Sequence, residues 1–528
     1  MFQLKRRYPV GIQTFSEIIN RGCVYVDKTD LMWQVQDAAK YIFLSRPRRF
    51  GKSLLTTTFK SFFEGRRDLF EGLKVMELET EWMEYPVIHL DLSMAKGANT
   101  VEQLKDNLYF LLEPYVKVYN TDKAASPGKQ LTAVLRAAHG QEGKQVVLLI
   151  DEYDAPLLDV LHTDEQLAAF RHVMQEFYQT LKASEAMIRF CFITGITRFS
   201  QVSIFSTLNN LMNITMYRKY ANICGITETE LHEQLGEDVA LLAEENNCTV
   251  DDMYQRLRQH YDGYHFTENS EGLYNPYSLF NAFMEGRIKN YWFESGTPTY
   301  LIEQLKHFKT DITTLDDFEV PDSSLQRPTQ TLMSALPLLF QAGYLTIKGY
   351  DPETYIYNVA IPNQEVRIGL TEALLPAYSG LNVEDVQDGF AARFWRSLKR
   401  NDLDLALREM QAYIAGLPYI EGFKKKLDDV AKAEGFYEWT FYLIFSMLNA
   451  YVRTQVKTIR GRADVVVRMP DATYVFELKI NGTAHEALQQ INSQGYAIPY
   501  QTDGLPIYKV GIRFSTETLS IEEWEIGV

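Results

Sequence analysis

The chain has few cysteines, a deficit of positive charge and no long apolar run. Its four cysteines (Cys23, Cys191, Cys224 and Cys248) show no paired metal spacing. A reducing cytoplasm is therefore the simpler setting. No stretch approaches the roughly 18 consecutive apolar residues of a membrane span. The opening "MFQLKRRYPVGI" lacks the apolar segment of a signal peptide. These absences predict a cytosolic protein with no membrane partner. Lys and Arg total 53 against 69 Asp and Glu, a net charge of −16. That balance argues against a histone-like coat on nucleic acid, which needs many Lys and Arg contacts to phosphate. A nucleic-acid site would have to be a restricted basic patch. Apolar residues make up 46% of the chain, and a chain this long is expected to hold roughly two to four domains.

A further absence is local. "FLSRPRRFGKSLL", Phe43 to Leu55, ends like the phosphate loop G-x-x-x-x-G-K-[ST] but has Arg46 in place of the first glycine. Before it, "KYIF" reads as a buried strand, and after it "LLTTTFKSFFEG" has apolar groups at helical spacing. Strand, loop and helix form the context the motif requires. Gly51 lets the backbone approach a phosphate, and the helix starting at Lys52 presents free N–H groups to it. The Lys52 ammonium can reach the β- and γ-phosphates, and Ser53 is the expected Mg²⁺ ligand. Pro47 with Arg46, Arg48 and Arg49 makes the loop stiff and cationic, and Arg46 and Arg49 join the expected nucleotide-binding set. The competing reading is a basic turn before a core helix.

"KQVVLLIDEYDAPL", Lys144 to Leu157, supplies the second motif, an apolar run ending in acids as a central parallel strand would. Asp151 is placed to hold the Mg²⁺ shell, and Glu152 to orient or deprotonate the attacking water. Asp154 either caps the following turn or joins the site. A third strand, "MIRFCFITGITRFS", Met187 to Ser200, ends in Thr194, Thr197 and Arg198. Thr194 and Arg198 are candidate sensors of the γ-phosphate. Arg198 suits a surface ion pair equally well.

Together "YPVGIQTFSEII", "YVDKTDLM", "SRPRRFGKSLL", "LIDEYDAPL" and "ITGITRFS" resemble the bacterial AAA-ATPase-like family, whose members commonly carry a C-terminal nuclease-like domain. The resemblance extends through "YDGYHF", "YNPYSLFNAF", "YWFESGTP" and "IPNQEVR", so it covers essentially the whole chain. It also implies that an arginine at the position of Arg46 is a family trait.

After this core, Gly225 to Gly286 reads as a small helical lid interrupted by the aromatic "YDGYHFTENSEGLYNPYS". Its tyrosines 261, 264, 274 and 277 are expected in core and interface positions. "TETELHEQLGEDVALLAEENN" reads as an amphipathic helix. Between Tyr291 and Leu370, helices lead into "LFQAGYLTIKGY" and "TYIYNVAIPN", a hairpin turning at "GYDPET". The order is like a winged helix, yet Lys348 is its one nearby cation and "DITTLDDFEV" is acidic. A spacer or partner-contact role is expected rather than DNA reading. Thr371 to Gly435 reads as a helical connector.

The last region holds a second constellation. "IRGRADVVVRMPDATYVFELKI", Ile459 to Ile480, reads as two strands joined by "MPDA". Alternation puts Glu477 and Lys479 on one face. Asp464 and Glu477 from adjacent strands can bind Mg²⁺, while Lys479 orients water and offsets phosphate charge. The segment resembles the core of the PD-(D/E)XK nucleases, with Ala463 where a proline is usual. That resemblance implies supporting roles for Glu438 on the preceding helix "FYEWTFYLIFSMLNAYV" and Gln490 on the following one. Arg453, Lys457, Arg460, Arg462 and Arg468 supply a restricted basic patch. The alternative is a surface hairpin with an exposed Glu477–Lys479 pair.

The expected fold is α/β. It comprises a P-loop NTPase domain (1–224) with a helical lid (225–290), a winged-helix-like region (291–370), a helical connector (371–435) and a restriction-endonuclease-like α/β domain (436–528). The expected function is an ATP-regulated, Mg²⁺-dependent nuclease acting on DNA or RNA. The alternative is a nucleotide switch whose C-terminal domain binds nucleic acid or protein without cutting. A protein partner or a homo-oligomer is compatible with either.

Overall fold

The computed structural model describes residues 6–158, 160, 163–197, 210–295, 299–308, 310, 312, 315, 318–325, 334–379, 390–415, 430–447, 451–458, 461–469, 471–480, 482–515 and 520–527. It divides into two compact units. One comprises Met1–Glu294, Glu303–Phe308 and Glu319–Asn363, the other Ser295–Ile302, Lys309–Phe318 and Gln364–Val528.

In the first unit, β1 (Tyr41–Ser45), β2 (Val87–Asp91), β3 (Val146–Asp151), β4 (Ile188–Gly195) and β5 (Leu211–Asn213) form a parallel sheet in the order β2-β3-β4-β1-β5. Parallel strands need crossover helices on the sheet faces, so inner strands are buried on both sides. "VVLLID" in β3 and "YIFLS" in β1 are accordingly buried at every position. The register places Leu44 beside Thr194, Ile150 beside Ile193, and Asp91 beside Asp151. Four strand ends therefore deliver the phosphate loop, Thr194, Asp151 and Asp91 to one carboxyl edge of the sheet.

The helix Lys52–Phe63 starts where Gly51 turns the chain at φ 90°. An ordinary L-residue rarely takes that conformation, which explains the surviving glycine. The helix buries Phe59 against Phe190 and Phe192 of β4, with ring centroids 5.2 and 4.9 Å apart. Its first turn is thereby fixed over the sheet edge.

The amphipathic pattern after Thr227 folds as the helix Glu228–Glu245, started by a reciprocal capping box between Thr227 and Glu230. It packs with the helices Val250–Tyr261 and Pro276–Glu285, and Leu231, Leu235, Met253, Leu257 and Phe283 share one core with Val24. Short strands β6 (Ile226–Thr227) and β7 (Leu273–Tyr274) pair at its base. Lys28 seals the N-terminal segment to this lid through Glu230 at 2.5 Å. A small sheet follows, β8 (Phe318–Pro321), β9 (Thr346–Asp351) and β10 (Ile356–Ala360), in the order β8-β10-β9. The expected hairpin is its β9–β10 pair, preceded by the helix Leu336–Ala342.

In the second unit, β11 (Tyr451–Thr458), β12 (Gly461–Arg468), β13 (Thr473–Lys479), β14 (Ile507–Phe514) and β15 (Ile521–Gly527) lie in chain order. The β13–β14 pair is parallel and the others antiparallel. The parallel pair is joined by the helix Ala484–Gln494, as a crossover requires. Gly511 of β14 explains how closely that helix lies. A Cβ there would stand 2.1 Å from the Ala484 carbonyl oxygen. The structure departs from the sequence reading here: the helix is Val430–Met447, and Tyr451 and Val452, read with it, belong to β11. Apolar character runs on from the helix into the strand, so helical spacing gave no boundary.

Candidate nucleotide and nuclease sites

At the carboxyl edge of the first sheet, Lys52 is almost fully buried, and its Nζ donates to the Pro47 carbonyl at 2.9 Å across the loop. Burial lowers its pKa, and the charges of Glu152, Asp151 and Asp154 oppose the loss. Ser53 makes a side-chain hydrogen bond to Asp151. The loop after β1 and the end of β3 thus meet across β4. Burial pushes Asp151 up to about 6, while the Ser53 bond and Lys52 pull it down.

Glu152 follows at φ 46°, an uncommon conformation for a non-glycine residue. Its amide donates to Asp151 Oδ1 at 2.9 Å, and its carboxylate meets Lys96 at 3.0 Å. Burial raises the Glu152 pKa, but Lys96 and Lys52 outweigh it and hold the group below the usual carboxylate range. Asp154 belongs to the scaffold. It accepts from the Ile196 amide at 3.1 Å and from both the amide and hydroxyl of Thr197 at 2.7 Å. It therefore caps the turn after β4 from the end of β3. Thr194 is fully buried, and its hydroxyl has no hydrogen-bond partner among the described residues. A buried hydroxyl costs free energy until it finds one.

The structure gathers Gly51, Lys52, Ser53, Asp151, Glu152 and Thr194 at this edge. It does not gather Arg46 with them. Arg46 Nη1 donates to the carbonyls of Ser45 and Thr215, and Nη2 to those of Tyr220 and Ala221, at 2.8 to 3.2 Å. With Phe266 4.1 Å beneath it, this guanidinium is a strut within the fold. Burial lowers its pKa to about 10. Arg49 stacks on Tyr277 at 3.7 Å. Arg198 lies outside the described residues.

Two cavities flank the loop. One, of about 70 Å³, is apolar and lined by Pro9, Val24, Gly51, Leu54, Cys224 and Ile226. The other, of about 220 Å³, is polar and lined by Ser53, Asp151, Asp91, His89, Lys60 and Thr57. Burial pushes His89 down to about 4, so the ring is neutral at pH 7. Asp91, His89 and Lys96 were missed in sequence. "VIHLD" carried a signal for Asp91, because it ends in an acid as "VLLID" does. Lys96 carried none, since nothing local marks its contact with Glu152.

In the second unit, Asp464, Glu477, Lys479 and Gln490 come together. Asp464 Oδ2 accepts the Leu478 amide at 2.8 Å, which fixes it against the end of β13. Glu477 Oε1 faces Lys479 Nζ at 3.2 Å and also accepts from Gln490 Nε2. Glu477 Oε2 is buried and has no hydrogen-bond partner among the described residues. Burial, reinforced by the Asp464 charge, pushes Glu477 up to about 7 despite Lys479. A carboxylate oxygen left bare beside a second carboxylate suits a divalent cation. No group of three or more His, Cys, Asp or Glu among the described residues could hold a metal. An ion here would complete its shell with water, backbone or phosphate oxygen.

Glu438 lies on the helix Val430–Met447, but its side chain is outside the described residues, as are those of Arg453, Lys457 and Arg460. Of the expected basic patch, Arg462 and Arg468 are exposed on β12. Arg468 is paired with Asp503.

The family model described as Predicted AAA-ATPase matches residues 9–205, and that described as PD-(D/E)XK nuclease superfamily matches residues 432–524. Among the described residues, no helix is long and apolar enough to cross a membrane. A relative from Azotobacter chroococcum mcd 1, "Uncharacterized protein in vnfD 5'region", is 32% identical over 527 residues, covering 98% of both chains. With an N-terminal P-loop sheet and a C-terminal mixed sheet in the regions those two models match, the chain belongs to the bacterial AAA-ATPase-like family and carries a C-terminal PD-(D/E)XK nuclease-superfamily domain.

Proposed function

We propose that the chain binds and hydrolyses ATP with Mg²⁺, and that its nucleotide state governs an Mg²⁺-dependent nuclease acting on DNA or RNA. On this reading Lys52 and the helix start hold the phosphates. Ser53 and Asp151 hold the hydrated cation, and Glu152 orients the attacking water. The apolar cavity beside Gly51 suits the flat face of a base. Thr194, with its unpaired hydroxyl between the loop and Asp151, suits a phosphate oxygen or the water.

The observation that carries the nuclease half is the bare, buried Glu477 Oε2 next to Asp464. Mg²⁺ bound there would neutralise phosphate charge and make its water more acidic. Lys479 would steady the nucleophile and the developing charge, and Gln490 would hold Glu477 in place. Glu438 is assigned a supporting role.

The test is incubation of the full chain with single- and double-stranded DNA and RNA, with and without Mg²⁺ and ATP. Expected is Mg²⁺-dependent cleavage whose rate responds to ATP and which Asp464→Asn abolishes. Cleavage that survives Asp464→Asn contradicts the site. Binding without cleavage under every condition supports instead the nucleotide-switched binding protein.

A further inference from the structure

The phosphate loop lacks the first of the two glycines in G-x-x-x-x-G-K-[ST], one of the positions that let such a loop fold around phosphate. Its five residues before Gly51 are instead docked one by one on segments from later in the same compact unit. Arg46 bonds the carbonyls of Thr215, Tyr220 and Ala221 and lies over Phe266. Pro47 abuts Gly343, where a Cβ would stand 2.6 Å from the proline ring. The Arg48 carbonyl accepts from Trp292 Nε1 at 3.3 Å. Arg49 stacks on Tyr277. Phe50 is met edge-on by Tyr264 and Phe266, at 4.7 and 5.4 Å.

Trp292 and Gly343 belong together. The Trp292 ring packs on Tyr344 at 5.1 Å, and Gly343 ends the helix that leads into β9. At φ 88°, with the proline against it, position 343 admits little but glycine.

We propose that Trp292 and Gly343, which make no expected phosphate contact, are positioning residues of the nucleotide site. They hold the Arg46–Phe50 loop so that Lys52 and the helix start face the phosphates. The inference rests on the ATP reading above and extends it to the small-sheet region. Lys52 Nζ, bonded to the Pro47 carbonyl, must turn from it to reach phosphate, and the residues docked on Pro47 and Arg48 feel that change. Because the loop shape serves ground and transition states alike, its loss weakens binding and leaves the chemical step alone.

The test uses the full chain labelled with fluorotryptophan. The Trp292 fluorine resonance is assigned by its loss in Trp292→Phe or, if that variant fails to fold, by substituting the other tryptophans. It is expected to shift on saturation with Mg²⁺ and adenosine thiotriphosphate. Trp292→Phe keeps an aromatic ring but removes the N–H together with the pyrrole half of the indole, and is expected to raise the KM for ATP about fivefold with kcat within about twofold. Gly343→Ala is expected to raise KM about tenfold with the same kcat. A resonance unmoved by nucleotide that calorimetry shows to be bound overturns the proposal, as does an unchanged KM in the folded variants. An unmodified chain that binds no nucleotide overturns the ATP reading and this proposal with it.

Discussion

Lys52→Ala is expected to weaken ATP binding about a hundredfold, a loss of about 3 kcal/mol that is typical of a buried, charge-assisted contact. The effect is at the high end because of what surrounds the ammonium. Glu152, Asp151 and Asp154 all act on it electrostatically, and the first two lie at the proposed phosphate and cation positions. Without the cation, incoming phosphates meet those acids unscreened. Alanine is the best helix former, so the start of Lys52–Phe63 survives the change. Glu152→Gln has the opposite signature. It retains ATP binding and slows turnover at least about a hundredfold, since the group orients or deprotonates water in the step itself. Calorimetry and single-turnover hydrolysis separate the two. Lys52→Ala affinity within threefold of the unmodified chain, or undiminished turnover in Glu152→Gln, contradicts the assignment.

The second large effect is a crossing of stabilities at Glu477. Without divalent metal, its carboxyl is raised to about 7 from 4.5, so the folded chain holds a proton that the unfolded chain has released. Stability from this group is therefore greatest below pH 4.5, falls as pH rises through the window up to about 7, and stays low above it. Glu477→Gln removes the penalty while keeping an oxygen for Gln490 to donate to. At pH 8 without metal, the variant is expected to unfold at higher temperature, with a gain on the order of 3 kcal/mol. At pH 4.5 the two chains converge. With saturating Mg²⁺ the order reverses, because an ion bound by the folded carboxylates stabilises only the unmodified chain. Thermal unfolding with and without chelator checks this, and parallel curves with no crossing contradict a cation site at Glu477.

Much of the site geometry was legible because it obeys short-range rules. A strand buried on both faces must be an unbroken apolar run, so "VVLLID" marked β3 and its terminal acid. Alternation in β13 put Glu477 and Lys479 on one face, and they do meet. Asp154 stayed open in sequence because its partners, the Thr197 amide and hydroxyl, come from another strand end. Arg46 was harder still. An arginine beside a phosphate motif reads as an anion contact, and only the folded chain brings the Thr215, Tyr220 and Ala221 carbonyls to it. The Lys96–Glu152 pair has the same origin, two segments distant in sequence brought together by the β2–β3 register. The start of β11 was hidden because Tyr451 and Val452 extend the apolar run of the helix before it.

On the proposed function, nucleotide and nucleic acid bind to one coupled system. The most direct test is one titration of the full chain carrying Glu152→Gln to suppress hydrolysis and Asp464→Asn to suppress cleavage. Its affinity for the nucleic acid chosen by the cleavage assay is measured with no nucleotide and with saturating Mg²⁺-ATP. A ligand shifts a conformational equilibrium only through unequal affinity for its states, and the coupling is reciprocal. The expected change is about tenfold or more, matched by the change that nucleic acid makes in ATP affinity. Identical nucleic-acid affinity with and without bound ATP would contradict it.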